Sequence, residues 1–204
     1  MTTDPSVSPS ALIRGSSTLL LGPAGTGKTT AITTFIEAGI ETFVLITDPN
    51  GQESLLDAMS DKGLDMNLLH WHYVAAASPS WDTPMGMTTS IRDLSYKALT
   101  DIKSGLNKSD YQQFFNLLSV CRNFVCQRTN LEYGPVDSWG PDRAFNVDSL
   151  SGMNTMAMDM TIGAKPVAHQ GEWGVAMAAE EKIIKKFCSD LRCFFVLTAH
   201  IQRI

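Results

Sequence analysis

The chain has no apolar run long enough to cross a membrane. Its longest apolar segments are residues 17–21, 43–46 and 193–197, whereas a membrane-spanning helix needs about 20 consecutive apolar residues. The first residues also lack the basic and apolar regions of a signal peptide. We therefore expect a soluble, cytoplasmic protein with no membrane partner.

Basic side chains are too few to cover a surface that wraps duplex DNA. The sequence has 16 Lys and Arg residues against 21 Asp and Glu residues, and its net charge is −5 at neutral pH. A protein of this charge meets a phosphate backbone only through a local basic stripe. Any contact with nucleic acid is therefore expected to be local.

Cysteine is scarce as well. Its four residues form two pairs of like spacing, Cys121 with Cys126 and Cys188 with Cys193, a pattern that allows a zinc site or disulfides. Structural zinc sites usually have closer C-x-x-C spacing, and these pairs lie in apolar segments where a free buried thiol is common. We expect reduced thiols in the core and keep zinc as the alternative.

The length and hydrophobic content of the chain are typical of one globular domain. The chain has 204 residues, of which 44% are hydrophobic, and this is enough for one core but not for two large ones. The first residues are rich in Ser, Thr and Pro, so residues 1–11 are expected to form a flexible tail. Residues 12–204 are expected to form the domain.

Short apolar runs alternate with helix-like stretches along this domain. Such alternation is typical of an α/β fold in which a mostly parallel sheet carries helices on both faces. The predicted strands are residues 17–21, 42–47, 69–74, 143–147 and 193–198, and the predicted helices are residues 28–38, 54–59, 91–103, 110–126 and 170–187. The Pro- and Gly-containing connections 75–89 and 129–142 are predicted to be long loops.

A complete phosphate-loop motif, G-x-x-x-x-G-K-[ST], follows the first predicted strand and opens the first predicted helix. Its glycines allow successive backbone N–H groups to face phosphates, and the helix N-terminus favours negative charge. Lys28 is expected to reach the β- and γ-phosphates and Thr29 to ligate Mg²⁺. The residues expected to contact ATP are Gly22, Pro23, Ala24, Gly25, Thr26, Gly27, Lys28, Thr29 and Thr30.

Polar residues end two further strands. Asp148 closes the fourth predicted strand, as the magnesium carboxylate of a phosphate-loop ATPase does, although Asn146 interrupts the apolar pattern. Thr198 and His200 lie at the end of the last strand. Because ligands gather at the carboxyl ends of parallel strands, these residues are expected to face the crevice that holds Lys28.

The phosphate loop, the Asp148-Ser149 pair and the strand-end Thr198-Ala199-His200 together resemble the RecA-fold "AAA-domain" ATPases of bacteriophages. The resemblance covers most of the chain from about residue 12. It implies a Mg²⁺-dependent ATPase that works as a homo-oligomer in DNA recombination, annealing or another DNA transaction. It also implies further strands after residue 204, so the chain is expected to be a fragment or a small version of the fold.

The same resemblance suggests which groups act on the attacking water. Ser149 follows the magnesium carboxylate where many AAA-type motors have a glutamate. In RecA-like enzymes the acid lies after the second strand, where this chain has Asp48 and then Glu53, so Asp48 is the first candidate base and Glu53 the second. His200 resembles the polar sensor of the γ-phosphate. Arg203 is a candidate for a residue supplied to a neighbouring subunit.

Two other functions use the same nucleotide site. A small-molecule kinase presents ATP to an acceptor hydroxyl, but the sequence has no Arg-rich lid between its later helices. A nucleotide-gated assembly protein with weak hydrolysis is the other alternative, because Asp48 is one methylene shorter than the usual glutamate.

Three further groups have both a structural and a functional interpretation. His70 and His72 alternate in a predicted strand, where partly buried aromatic packing is favoured over a metal site. The lysines on the predicted 170–187 helix form either a solvated face or a DNA contact. The methionines of residues 153–160 either fill gaps in the core or form a mobile loop. The lysines are Lys182, Lys185 and Lys186, and the methionines are Met153, Met156, Met158 and Met160.

Overall fold

Five parallel strands form one sheet in the computed structural model, which describes residues 15–105 and 108–201. The strands are β1 (Ser17–Gly22), β2 (Glu41–Ile46), β3 (Leu69–Tyr73), β4 (Arg143–Asp148) and β5 (Phe194–His200). Their order across the sheet is β1-β5-β4-β2-β3. All five predicted strands are confirmed, each end to within about two residues.

Seven α-helices of the described residues connect and cover these strands. They are α1 (Lys28–Glu37), α2 (Gly51–Asp61), α3 (Asp82–Asp93), α4 (Tyr96–Thr100), α5 (Gln113–Arg122), α6 (Leu150–Ile162) and α7 (Gln170–Asp190). Short 3-10 turns lie at Met66–Leu68, Lys108–Asp110 and Val136–Ser138. None of the helices in this part of the chain is long and apolar enough to span a membrane.

The apolar residues of β2 show how the centre of the sheet is buried on both faces. Val44 and Ile46 contact α1 and α2, whereas Phe43 and Leu45 lie in the larger core formed with α5, α6 and α7. A strand covered on both faces is a continuous apolar run, as residues 43–46 are. The predicted α/β fold with a parallel sheet and helices on both faces is therefore confirmed.

The prediction of one helix over residues 91–103 is wrong. The chain forms α3 and α4 there, separated at Leu94, whose backbone is extended, and Ser95, whose hydroxyl accepts a hydrogen bond from the backbone N–H of Ala98 at 3.3 Å. The predicted loop 75–89 is also partly wrong, because α3 begins at Asp82. Pro84 suggested a loop but lies in the first turn, where its missing N–H has no partner to lose.

The predicted helix over residues 110–126 is too long. α5 ends at Arg122, and the chain then turns back on itself. The backbone N–H of Phe124 donates to the carbonyl of Gly134 at 2.9 Å, and that of Cys126 donates to Leu131 at 2.9 Å. These antiparallel hydrogen bonds replace the last helical turn.

The methionine segment belongs to α6, so its interpretation as a mobile loop is wrong. Met153, Met156 and Met158 are buried against the sheet, which confirms that they fill the core. The expected tail of residues 1–11 and Arg203 lie outside the described residues.

Candidate functional site

The phosphate-loop sequence forms a turn between β1 and α1, as its motif requires. Gly25 and Gly27 have φ angles of 74° and 81°, a left-handed conformation that other residues adopt only at a cost. An added side-chain carbon at either position would meet no atom within 4 Å. Backbone conformation, rather than crowding, therefore makes glycine necessary here.

Lys28 folds back over this loop. Its ammonium donates hydrogen bonds to the carbonyl oxygens of Gly22 at 2.9 Å and Pro23 at 2.7 Å. Residues 23–27 are exposed, so the loop that leads into α1 is open to solvent. The loop thus presents one side-chain cation and a helix N-terminus to the same space, an arrangement that suits an anion.

Asp148 lies beside the loop at the carboxyl end of β4, and it is only 4% exposed. One carboxylate oxygen accepts a hydrogen bond from the Thr29 hydroxyl at 2.8 Å. The other accepts from the Thr198 hydroxyl at the end of β5. Both partners are neutral hydroxyl groups, so neither brings an opposing charge to this side chain.

Thr29 and Asp148 are the residues that could hold a magnesium ion. Mg²⁺ prefers oxygen ligands and usually takes only one or two from the protein, the others being water and substrate phosphates. The described residues contain no group of three or more His, Cys, Asp or Glu side chains placed to hold a metal ion. A hydroxyl and a carboxylate beside a phosphate loop nevertheless fit an ion that arrives with a nucleotide.

Asn146, the polar residue within β4, is fully buried. Its amide nitrogen donates to the carbonyl of Phe43 at 3.3 Å, while its amide oxygen has no partner among the described residues. This hydrogen bond to β2 therefore gives the buried amide nitrogen a partner.

Thr47 ties the end of β2 to the end of β4. Its hydroxyl donates to the carbonyl of Ser149 at 2.8 Å and accepts from the backbone N–H of Ser149 at 2.8 Å. The peptide bond between Asp148 and Ser149, directly after β4, is cis. A side-chain carbon added at Gly152 would lie 2.2 Å from the Thr47 hydroxyl. Thr47 was not predicted as a site residue, and its only sequence signal is its position at the end of an apolar strand.

Asp48 and His200, predicted separately, contact each other through their side chains. The Nε2 atom of His200 lies 2.8 Å from one carboxylate oxygen of Asp48. Both side chains are partly exposed, at 29% for His200 and 24% for Asp48. The predicted base and the predicted sensor are thus in direct contact above the end of β4.

Glu53 does not share this contact. It lies exposed in the first turn of α2 and borders a shallow depression with Pro49, Asn50 and Tyr73.

A different cavity of about 240 Å³ lies beside Asp48, lined also by Ala76, Ser151 and Asp159 among others. Burial raises the pKa of the Asp159 carboxyl above its usual range.

The histidines of β3 have structural partners. His70 stacks on Phe43 with ring centroids 4.8 Å apart, and its imidazole lies 3.1 Å from the Tyr133 hydroxyl. Burial lowers its pKa, although nearby Glu41 opposes this. His72 lies 2.8 Å from the carbonyl of Val125 through Nδ1. The prediction of aromatic packing in this strand is confirmed.

The lysines of α7 and the cysteines lie away from the loop. Lys185 pairs with Glu181 at 2.6 Å, and Lys186 pairs with Asp137 and Asp190, so these two lysines belong to a surface of mixed charge.

All four cysteines have free thiols, of which Cys126 and Cys193 are buried, Cys121 is partly buried and Cys188 is exposed. The expectation of core thiols is thus wrong for Cys188.

Comparison with protein families and with curated proteins identified no homologue of this chain. None of the protein-family models searched matches the chain, and none of the curated proteins searched matches it either.

Proposed function

We propose that this protein is a magnesium-dependent ATPase of the RecA-like type that acts as a homo-oligomer on DNA. The observation that carries the proposal is the 2.8 Å hydrogen bond between the hydroxyl of Thr29 and the carboxylate of Asp148. It joins a residue of the phosphate-loop helix to the end of a strand that is not adjacent to β1 in the sheet. The two oxygen ligands that a Mg²⁺–nucleotide complex requires therefore lie side by side.

Each residue of the site has a distinct part in this proposal. The open N–H groups of the loop would bind phosphate oxygens, and Lys28 would exchange its two carbonyl partners for the β- and γ-phosphates. Thr29 and Asp148 would hold the magnesium ion, which when bound neutralises charge on the phosphates. Asp48 would accept a proton from the attacking water.

Substitution of Lys28 tests the nucleotide site directly. Lys28→Ala removes the side-chain cation of the loop, so we expect loss of ATP binding by isothermal titration and loss of phosphate release. Lys182→Ala is the matched control, because Lys182 lies exposed on α7, away from the loop. A folded Lys28→Ala protein with the ATP affinity and turnover of the wild type would refute the phosphate-loop assignment.

Turnover with added partners tests the coupled process. Single-stranded DNA, duplex DNA and RNA are each added to the wild-type protein, and the rate of phosphate release is compared with the rate of the protein alone. Stimulation by DNA supports the proposal. A phosphorylated small acceptor would instead identify a kinase. Slow turnover with nucleotide-dependent assembly in sedimentation would identify an assembly protein.

A further inference from the structure

Asp48 and His200 contact each other across an intervening strand. β2 and β5 each lie next to β4, so their backbones are two strand spacings apart, or about 10 Å. Their side chains close this gap, with His200 Nε2 lying 2.8 Å from Asp48 Oδ2. Because an ionised carboxylate can only accept, the Nε2–H of His200 is the donor.

His200 is the better anchored of the two residues. It ends β5 in register with Gly22 of β1, and its backbone N–H donates to the Ser151 hydroxyl at 3.3 Å. Asp48 follows the end of β2, where its backbone N–H makes a long contact of 3.4 Å with the carbonyl of Asp148 and its carbonyl accepts from the backbone N–H of Gly51 at 3.2 Å. The imidazole is thus carried by a strand, and the carboxylate by the turn that follows one.

The carboxylate of Asp48 borders a cavity as well as contacting His200. Asp48 also lines the cavity that Pro49, Ala76 and Ser151 border. The hydrogen bond from His200 holds one carboxylate oxygen toward β5 and so toward the phosphate loop.

We propose that His200 is a positioning residue that directs the Asp48 carboxylate toward the nucleotide. This rests on the proposed ATPase function, in which Asp48 accepts the proton of the attacking water. It differs from a γ-phosphate sensor, because His200 then acts on the reaction only through Asp48. A displacement of about 1 Å in a reacting group can cost about a hundredfold in rate.

A double-mutant cycle on turnover tests the proposal. The variants are Asp48→Asn, His200→Leu and the double variant, with His200→Gln as the conservative change because its amide N–H can replace the imidazole donor. We expect His200→Leu to lower kcat at least about tenfold with little change in KM. The double variant should be no slower than Asp48→Asn, and His200→Gln should restore most of the lost kcat.

Two other results would overturn the proposal that His200 positions Asp48. Losses that multiply in the double variant would show that His200 acts independently of Asp48. A lower affinity of His200→Leu for ATP relative to ADP, with kcat unchanged, would show that it senses the γ-phosphate directly.

A second measurement needs no turnover. In two-dimensional proton–nitrogen NMR of the nucleotide-free protein, detected through the non-exchanging ring C–H protons, the Nε2 atom of His200 should give the signal of a protonated, hydrogen-bonded nitrogen, and this signal should shift in Asp48→Ala. Absence of this signal from the folded wild type would disprove the pairing itself. Its presence in a protein without any ATP turnover would instead refute the proposed function and leave the contact intact.

Discussion

The buried carboxyl of Glu180 should make the stability of this protein depend on pH. It lies on α7, is only 8% exposed, and its Oε1 atom has no hydrogen-bond partner among the described residues. Burial raises its pKa from the ordinary value of 4.5 to about 7. An unpaired carboxylate costs free energy when it ionises in such a place, so the folded protein holds this proton longer than the unfolded chain does.

The sign and size of the effect follow from this difference. Between pH 4.5 and about 7 the folded state binds more protons at Glu180 than the unfolded state, so the free energy of unfolding falls as pH rises. One pKa unit corresponds to about 1.4 kcal/mol. Ionisation of Glu180 should therefore remove about 3 kcal/mol of stability by pH 8, and almost none of this loss should be present at pH values well below 4.5.

Urea unfolding at several pH values measures this loss. Glu180→Gln keeps the shape of the side chain but cannot ionise, so its stability relative to the wild type should rise by about 3 kcal/mol between pH 4.5 and pH 8. The control is Glu181→Gln, an exposed neighbour paired with Lys185, for which no such gain is expected. A stability difference for Glu180→Gln that does not change with pH would refute the reasoning.

Three further predictions concern single residues. Asp48→Asn should keep Mg-ATP binding but lose about a hundredfold in turnover, whereas Glu53→Gln should lose little, and steady-state kinetics would reassign the base if the two effects were reversed. Gly152→Ala should lower the free energy of unfolding by about 1–3 kcal/mol, because the added carbon collides with Thr47; unchanged stability in urea would contradict this packing. In the native protein Cys188 should react first with a thiol reagent, and equal rates for all four thiols would contradict their burial.

The strands and the phosphate loop could be predicted because local sequence determines them. The apolar run of residues 43–46 is buried on both faces of the sheet, so its composition alone marks it as a strand. The glycines and Lys28 of the loop act within a single turn. Asp148 and Thr198 could be placed together because both end parallel strands, and the structure joins them by a hydrogen bond.

The remaining features depend on contacts between distant parts of the chain. The pair formed by Asp48 and His200 spans 152 residues, and no local pattern indicates that contact. Gly152 weakens the helical pattern of α6, but the structure needs glycine there because the helix passes close to Thr47. Pro84 misled the prediction of α3 because a proline in a first helical turn has the same sequence signal as one in a loop.

The magnesium dependence of ATP turnover tests the central claim most directly. Phosphate release is measured against Mg²⁺ concentration for the wild type, for Asp148→Asn and for the control Asp57→Asn, whose side chain lies exposed on α2. Asp148→Asn should bind nucleotide in part but need far more Mg²⁺ and turn over much more slowly, because an amide carries no charge for the ion. A Mg²⁺ profile for folded Asp148→Asn identical to those of the wild type and the control would contradict the account.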